Sequence, residues 1–163
     1  MQPSIRPVRD CDWPAVTAIF NHFVLESFAA YPERPVGDDF FRERVAVAPG
    51  YPFLVAEVDA ELVGFAYLAP FLPVPTLRRS ATLTYFIHPE HTGRGLGGQF
   101  LEHLLEAGRQ LGVVSFLAHI SSANEGSIRF HLSHGFAECG RFREVGVKHG
   151  RLFDMVWVQR LER

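Results

Sequence analysis

Ala81 to His88 reads as a strand, the loop PEHTGRGLGG follows it, and Leu96, Phe100, Leu104 and Leu111 then recur at helical spacing on one face. This strand, glycine loop, helix unit constrains the chain more than any other feature, because it requires a sheet with a helix against it. The remaining segments supply both. Ser4 to Val8 is a short strand, and Val16, Ile19, Phe20, Phe23 and Val24 mark a helix with Pro14 near its start, where proline is tolerated. Asp38 to Val47 predicts a second, shorter helix that ends before Pro49 and Gly50. Phe53 to Val58 and Glu61 to Leu68 predict an antiparallel hairpin around Asp59-Ala60, a tight connection made without its best residues. Past the glycine loop, Val113 to Ile120 is a strong buried strand, and a helix through Ile128, Phe130 and Leu132 stops at Gly135. Phe136 to Phe142 and Leu152 to Leu161 are closing strands around a Gly150 turn. The expected architecture is mixed α/β in one sheet, without repeats or linkers.

Composition agrees with that order. The 163 residues suit one domain, 1–163, and 47% hydrophobic against 21% charged residues can offset chain entropy. A formal charge of -2 lacks the basic excess that phosphate backbones attract, so nucleic acid is not an expected partner. Cys11 and Cys139 lie far apart with no finger spacing and read as thiols of a reducing, cytoplasmic setting. The opening MQPSIRPVRD has no apolar core of a leader, and the longest uncharged stretch, Leu62 to Leu77, is broken by Pro70, Pro73 and Pro75, so no membrane association is expected.

The glycine loop is the strongest chemical signal. In Gly93-Arg94-Gly95-Leu96-Gly97-Gly98 the glycines let backbone N–H groups approach a ligand, and the helix N-terminus adds partial positive charge, which describes a pyrophosphate seat. A flexible strand-to-helix turn is the plainer reading. Gly93, Gly95 and Gly98 satisfy GxGxxG, but no acid stands between Glu106 and Glu125 to hold a ribose, and Gln99 and Phe100 replace the Lys and Ser or Thr of a phosphate-binding P-loop. His88 with His91 and His131 with His134 lack HExxH and a carboxylate cluster, so no metal is expected. There is no GxSxG elbow, and Asp38-Asp39 or Asp59 with Glu61 are explained as caps and solvated turns.

Taken together, IRPVRDCD, AIFNHFV, PFLVAEVDAELVGFAYLAPF, HPEHTGRGLG, SSANEGSIRFHLSHGF and FREVGVKHGRLFDMVWVQ resemble the GNAT-superfamily N-acetyltransferases, within them the phosphinothricin and methionine sulfoximine acetyltransferase group. The resemblance covers nearly the whole chain. It implies an α/β (α+β) fold with a mixed central sheet of six to seven strands flanked by four helices, a homodimer, and acetyl-CoA as co-substrate. Acetyl-CoA would lie against Tyr85, Phe86 and Ile87, with its pyrophosphate on Gly93, Arg94, Gly95, Leu96, Gly97 and Gly98. Asn124 would bond the pantetheine arm, Ser133 is a further contact candidate, and His131 matches a proposed catalytic histidine. Phe86 is expected to offer an N–H to the thioester carbonyl, and Tyr85 is a candidate acid.

Departures from the group bear on the acceptor. Thr92 stands where the loop usually begins with Gln or Arg. Thr82 replaces a Glu proposed as the base, and threonine cannot take a proton at neutral pH. Val74 and Leu77 replace polar or aromatic pocket residues, Arg78 matches and could hold a carboxylate, and Glu26 is a remote candidate base. The expected acceptor is a small primary amine with an apolar portion, a hydrophobic amino acid above others. A silent acetyl-CoA-binding module and a Rossmann-type dehydrogenase are the competing functions.

Overall fold

The computed structural model describes residues 3–162. Seven strands form one sheet: β1 (Ser4–Pro7), β2 (Phe53–Val58), β3 (Glu61–Pro70), β4 (Ser80–Ile87), β5 (Ser115–Ser121), β6 (Ala137–Lys148) and β7 (Arg151–Leu161). Their spatial order is β1-β2-β3-β4-β5-β7-β6, antiparallel throughout except for β4 against β5. Four helices cover it: α1 (Trp13–Glu26), α2 (Asp39–Ala46), α3 (Leu96–Gln110) and α4 (Glu125–Ser133). No helix among the described residues is long and apolar enough to cross a membrane.

Because strand side chains alternate between faces, the sheet builds two cores. Trp13, Val16, Phe20 and Phe41 from α1 and α2 pack on Phe53, Val55 and Phe65 of β2 and β3. Across the sheet, Leu96, Phe100, Leu101 and Leu104 of α3 pack on Leu83, Phe116 and Val158. A Cβ on Gly108 would lie 2.4 Å from the Phe116 ring, so a glycine lets α3 approach β5 this closely.

Several element boundaries differ from the sequence pattern for local reasons. Leu111 is 45% exposed rather than on the apolar face, because α3 has ended and Gly112 turns left-handed at φ +78°. β6 runs on to Lys148 through a bulge between Phe142 and Gly146, where Glu144 adopts φ +49°. Leu132 faces outward. The β2–β3 connection has positive φ at both Asp59 and Ala60, the tight hairpin turn formed in spite of an alanine that tolerates it poorly.

Candidate active site

β4 and β5 pair only at Ser80, Ala81 and Thr82 with Ser115, Phe116 and Leu117, although β4 continues to Ile87 and β5 to Ser121. Beyond that point the strands part. The N–H and C=O of alternate residues in a strand face opposite edges. Ser80 accepts from the Phe71 N–H and His88 donates to the Val63 carbonyl, so the even-numbered residues of β4 face β3. Leu83, Tyr85 and Ile87 therefore turn their backbone groups into the gap. The Phe86 N–H, expected to meet the thioester carbonyl, belongs instead to the β3 ladder, and the N–H groups that face the gap are those of its neighbours Tyr85 and Ile87.

A cavity of about 1120 Å³ occupies this gap. At one end, Gly93 and Gly95 hold φ of +72° and +81°, and no atom lies within 4 Å of a Cβ built on either, so glycine is required there for conformation rather than for space. Gly95 caps α3 with no side-chain bond, which leaves the first-turn N–H groups at Leu96, Gly97 and Gly98 free to meet an anion. Arg94 is exposed beside them. Asn124 caps α4 by accepting from the Ser127 N–H at 3.3 Å, so its amide Nδ2 stays free to donate where the residue lines the cavity. A free helix N-terminus suits a diphosphate, and an unpaired strand edge suits an extended amide-bearing arm, so these residues fit acetyl-CoA.

Tyr85 and His131 meet in the cavity wall. His131 is 2% exposed, and its Nδ1 lies 2.7 Å from the Ser127 carbonyl, which can only accept, so the ring proton sits on Nδ1. The remaining lone pair, on Nε2, accepts from the Tyr85 hydroxyl at 2.5 Å. Burial pushes His131 down to about 4 and Tyr85 well above its usual value, so both are neutral at neutral pH.

The other end of the cavity is walled by Phe20, Phe23, Tyr31, Phe40, Tyr67 and Phe86. Tyr31 is pushed up to about 12 by burial and bonds the Nδ1 of His119 at 3.1 Å. Arg44 on α2 supplies a guanidinium, 4.3 Å from the centre of the Phe40 ring, and no Asp or Glu lines the cavity.

None of Val74, Leu77, Arg78, Thr82 and Glu26 lines this cavity. Val74 to Arg78 form a short turn in which Arg78 donates to the Pro75 carbonyl at 3.2 Å. The Thr82 hydroxyl points at the Ala69 carbonyl, 3.4 Å away, and Glu26 is exposed at the end of α1. Ser133 is likewise outside, its hydroxyl turned back to the Phe130 carbonyl at 2.8 Å. Arg44, Tyr31 and His119 were invisible to sequence reasoning. The only available signal was Arg44 one helical turn after Phe40, and nothing local says that α2 borders a cavity.

Residues 16–136 match the acetyltransferase (GNAT) family. The Salmonella typhimurium L-methionine sulfoximine/L-methionine sulfone acetyltransferase is 34% identical over 160 residues, covering 96% of this chain and 92% of that one. The Alcaligenes faecalis phosphinothricin N-acetyltransferase is 37% identical over 165 residues, covering 96% and 81%. A GNAT superfamily phosphinothricin acetyltransferase from Sinorhizobium meliloti, solved in complex with acetyl-CoA, superposes with a TM-score of 0.92 at 29% identity over 99% of this chain and 89% of its own. The chain belongs to the GNAT acetyltransferase family. It is an N-acetyltransferase.

Proposed function

We propose that the protein acetylates the primary amine of an amino acid or a close analogue by direct attack, with both substrates bound together. The observation that carries this reading is the continuity of the cavity, which runs from the glycine loop past the open edge of β4 into the aromatic chamber. Bound acetyl-CoA supplies a thioester carbon for the amine to attack. The backbone of Gly93 to Gly98, with Arg94 above it, holds the diphosphate; Asn124 donates to the pantetheine arm; the Tyr85 and Ile87 N–H groups hold that arm and polarise the thioester carbonyl.

Tyr85 and His131 act as one unit. A proton arriving at the Tyr85 oxygen sends the hydroxyl proton on to His131 Nε2, so no buried phenolate forms. As the C–S bond breaks, the imidazolium, a strong acid held near 4, returns its proton to the Tyr85 oxygen, which passes its own proton to the departing thiolate. The reading is tested by thiol release from acetyl-CoA across amino acids and amines. Wild type turns over, and Tyr85→Phe lowers kcat by about 10²- to 10⁴-fold while still binding acetyl-CoA. Retained acetyl-CoA binding with no thiol release from any amine would establish the silent binding module instead.

We further propose one domain over the whole chain, a cytoplasmic setting, supported by the exposed, unpaired Cys11 and Cys139, and a homodimer. Phe153 and Val158 of β7 are buried and supply no dimer surface. Phe142, Val145, Val147 and Leu152, all more than half exposed along the β6–β7 edge, offer it instead. A monomeric mass in light scattering at high micromolar concentration excludes the dimer.

A further inference from the structure

We infer that the acceptor is an α-amino acid with an aromatic side chain, whose carboxylate is held by Arg44. The inference rests on the acetyltransferase reading and names the substrate class of the same cavity. Three features of the acceptor chamber carry it.

Arg44 is the only Lys or Arg lining the cavity, and it forms no ion pair with any described residue. Its side chain lies along Phe40, and that stacking fixes the guanidinium's direction without using its hydrogen-bonding fork. A fork so held is free to grip a carboxylate in two bonds. Arg78, the sequence-based candidate for this role, does not line the cavity, and its Nη1 is spent on the Pro75 carbonyl.

No carboxylate lines the cavity, so no ion pair there holds an ammonium group. Apolar walls favour the neutral amine, the form that attacks. An amino acid in this chamber thus binds with its carboxylate charged and its amine neutral, the ammonium proton having been left to solvent.

The wall offers ring faces and edges from α1, α2, β3 and β4, in Phe20, Phe23, Phe40, Tyr67 and Phe86. An aryl side chain gains edge-to-face contacts here that an aliphatic one of equal size does not. A sulfoximine or phosphinate head brings a second polar group to the same wall, where the Tyr67 hydroxyl replaces its lost hydration only in part.

The test compares L-phenylalanine with 2-phenylethylamine, which keeps ring and amine but lacks the carboxylate, and with L-leucine and L-methionine sulfoximine, using wild type, Arg44→Gln and Arg44→Lys. Wild-type kcat/KM is expected to favour phenylalanine over phenylethylamine by about 10- to 100-fold and over leucine by about 2- to 10-fold. Arg44→Gln raises the phenylalanine KM by about tenfold or more with little change in kcat, and leaves phenylethylamine unaffected. Arg44→Lys recovers part of the loss. Arg44 is exposed, so the acetyl-CoA thermal shift of each variant should match wild type and report an intact fold. An unchanged phenylalanine KM in Arg44→Gln, equal use of phenylethylamine, or a preference for methionine sulfoximine overturns the inference and leaves the acetyltransferase reading standing. Absence of thiol release with every amine overturns both.

Discussion

His131 gives the fold a pH dependence that can be separated from all others. In the folded protein it is buried, bonded through both ring nitrogens and held near 4; unfolded, it returns to about 6.5. Below pH 6.5 the unfolded chain takes up a proton that the native ring refuses, so the stability due to neutral His131 is complete above 6.5 and is lost as pH falls towards 4. Integrated down to about pH 4.5, the loss is about 2.5 kcal/mol, equivalent to about 5–10 °C in Tm for a chain of this size. The assay is thermal unfolding of wild type and His131→Gln from neutral pH to about pH 4.5. His119, lowered by burial, and Asp12, Glu57 and Asp154, lowered chiefly by hydrogen bonds, titrate in both proteins and cancel in the difference. The variant starts less stable at neutral pH, and the gap narrows on acidification. Parallel curves for the two proteins would refute the burial argument, and with it the strongly acidic imidazolium assigned to the proton transfer.

Two further outcomes follow from the same geometry. Gly95→Asp sets a carboxylate at the helix terminus that faces the diphosphate and should abolish the thermal shift by acetyl-CoA, whereas Gly95→Asn, which tolerates the left-handed backbone without the charge, should keep part of it; a wild-type response from the Asp variant would mean that the anion seat is elsewhere. Lys148 is fully buried and donates to the Ser27 and Ala30 carbonyls at 2.7 and 2.6 Å, so Lys148→Met leaves both unsatisfied and should cost about 2–4 kcal/mol in urea unfolding; because Tyr31 follows Ala30 in the cavity wall, the acceptor KM should rise as well.

Much of the chain declared itself through local rules. The 3.6-residue stripes of α1 and α3, the proline and glycine stops, and the glycines of 93–98 depend on neighbours in sequence, and the structure places those helices and turns where the pattern put them. The same holds for the hairpin of β2 and β3. What sequence could not supply was the divergence of β4 from β5, which arises from how two strands distant in the chain stop pairing, and which decides that Tyr85 and Ile87, and not Phe86, present their N–H groups. His131 was legible as a histidine on α4. That its lone pair is spent on Tyr85 was not, because Tyr85 is brought to it from another element. The acceptor chamber was the least legible part. The family resemblance points to Val74, Leu77, Arg78 and Thr82, with Glu26 as a remote base, yet the cavity is lined by Tyr31 of the α1–α2 connection and by Phe40 and Arg44 of α2. Periodicity records which face of an element is buried; which elements share a cavity is set by packing across the sheet, and no local pattern encodes that.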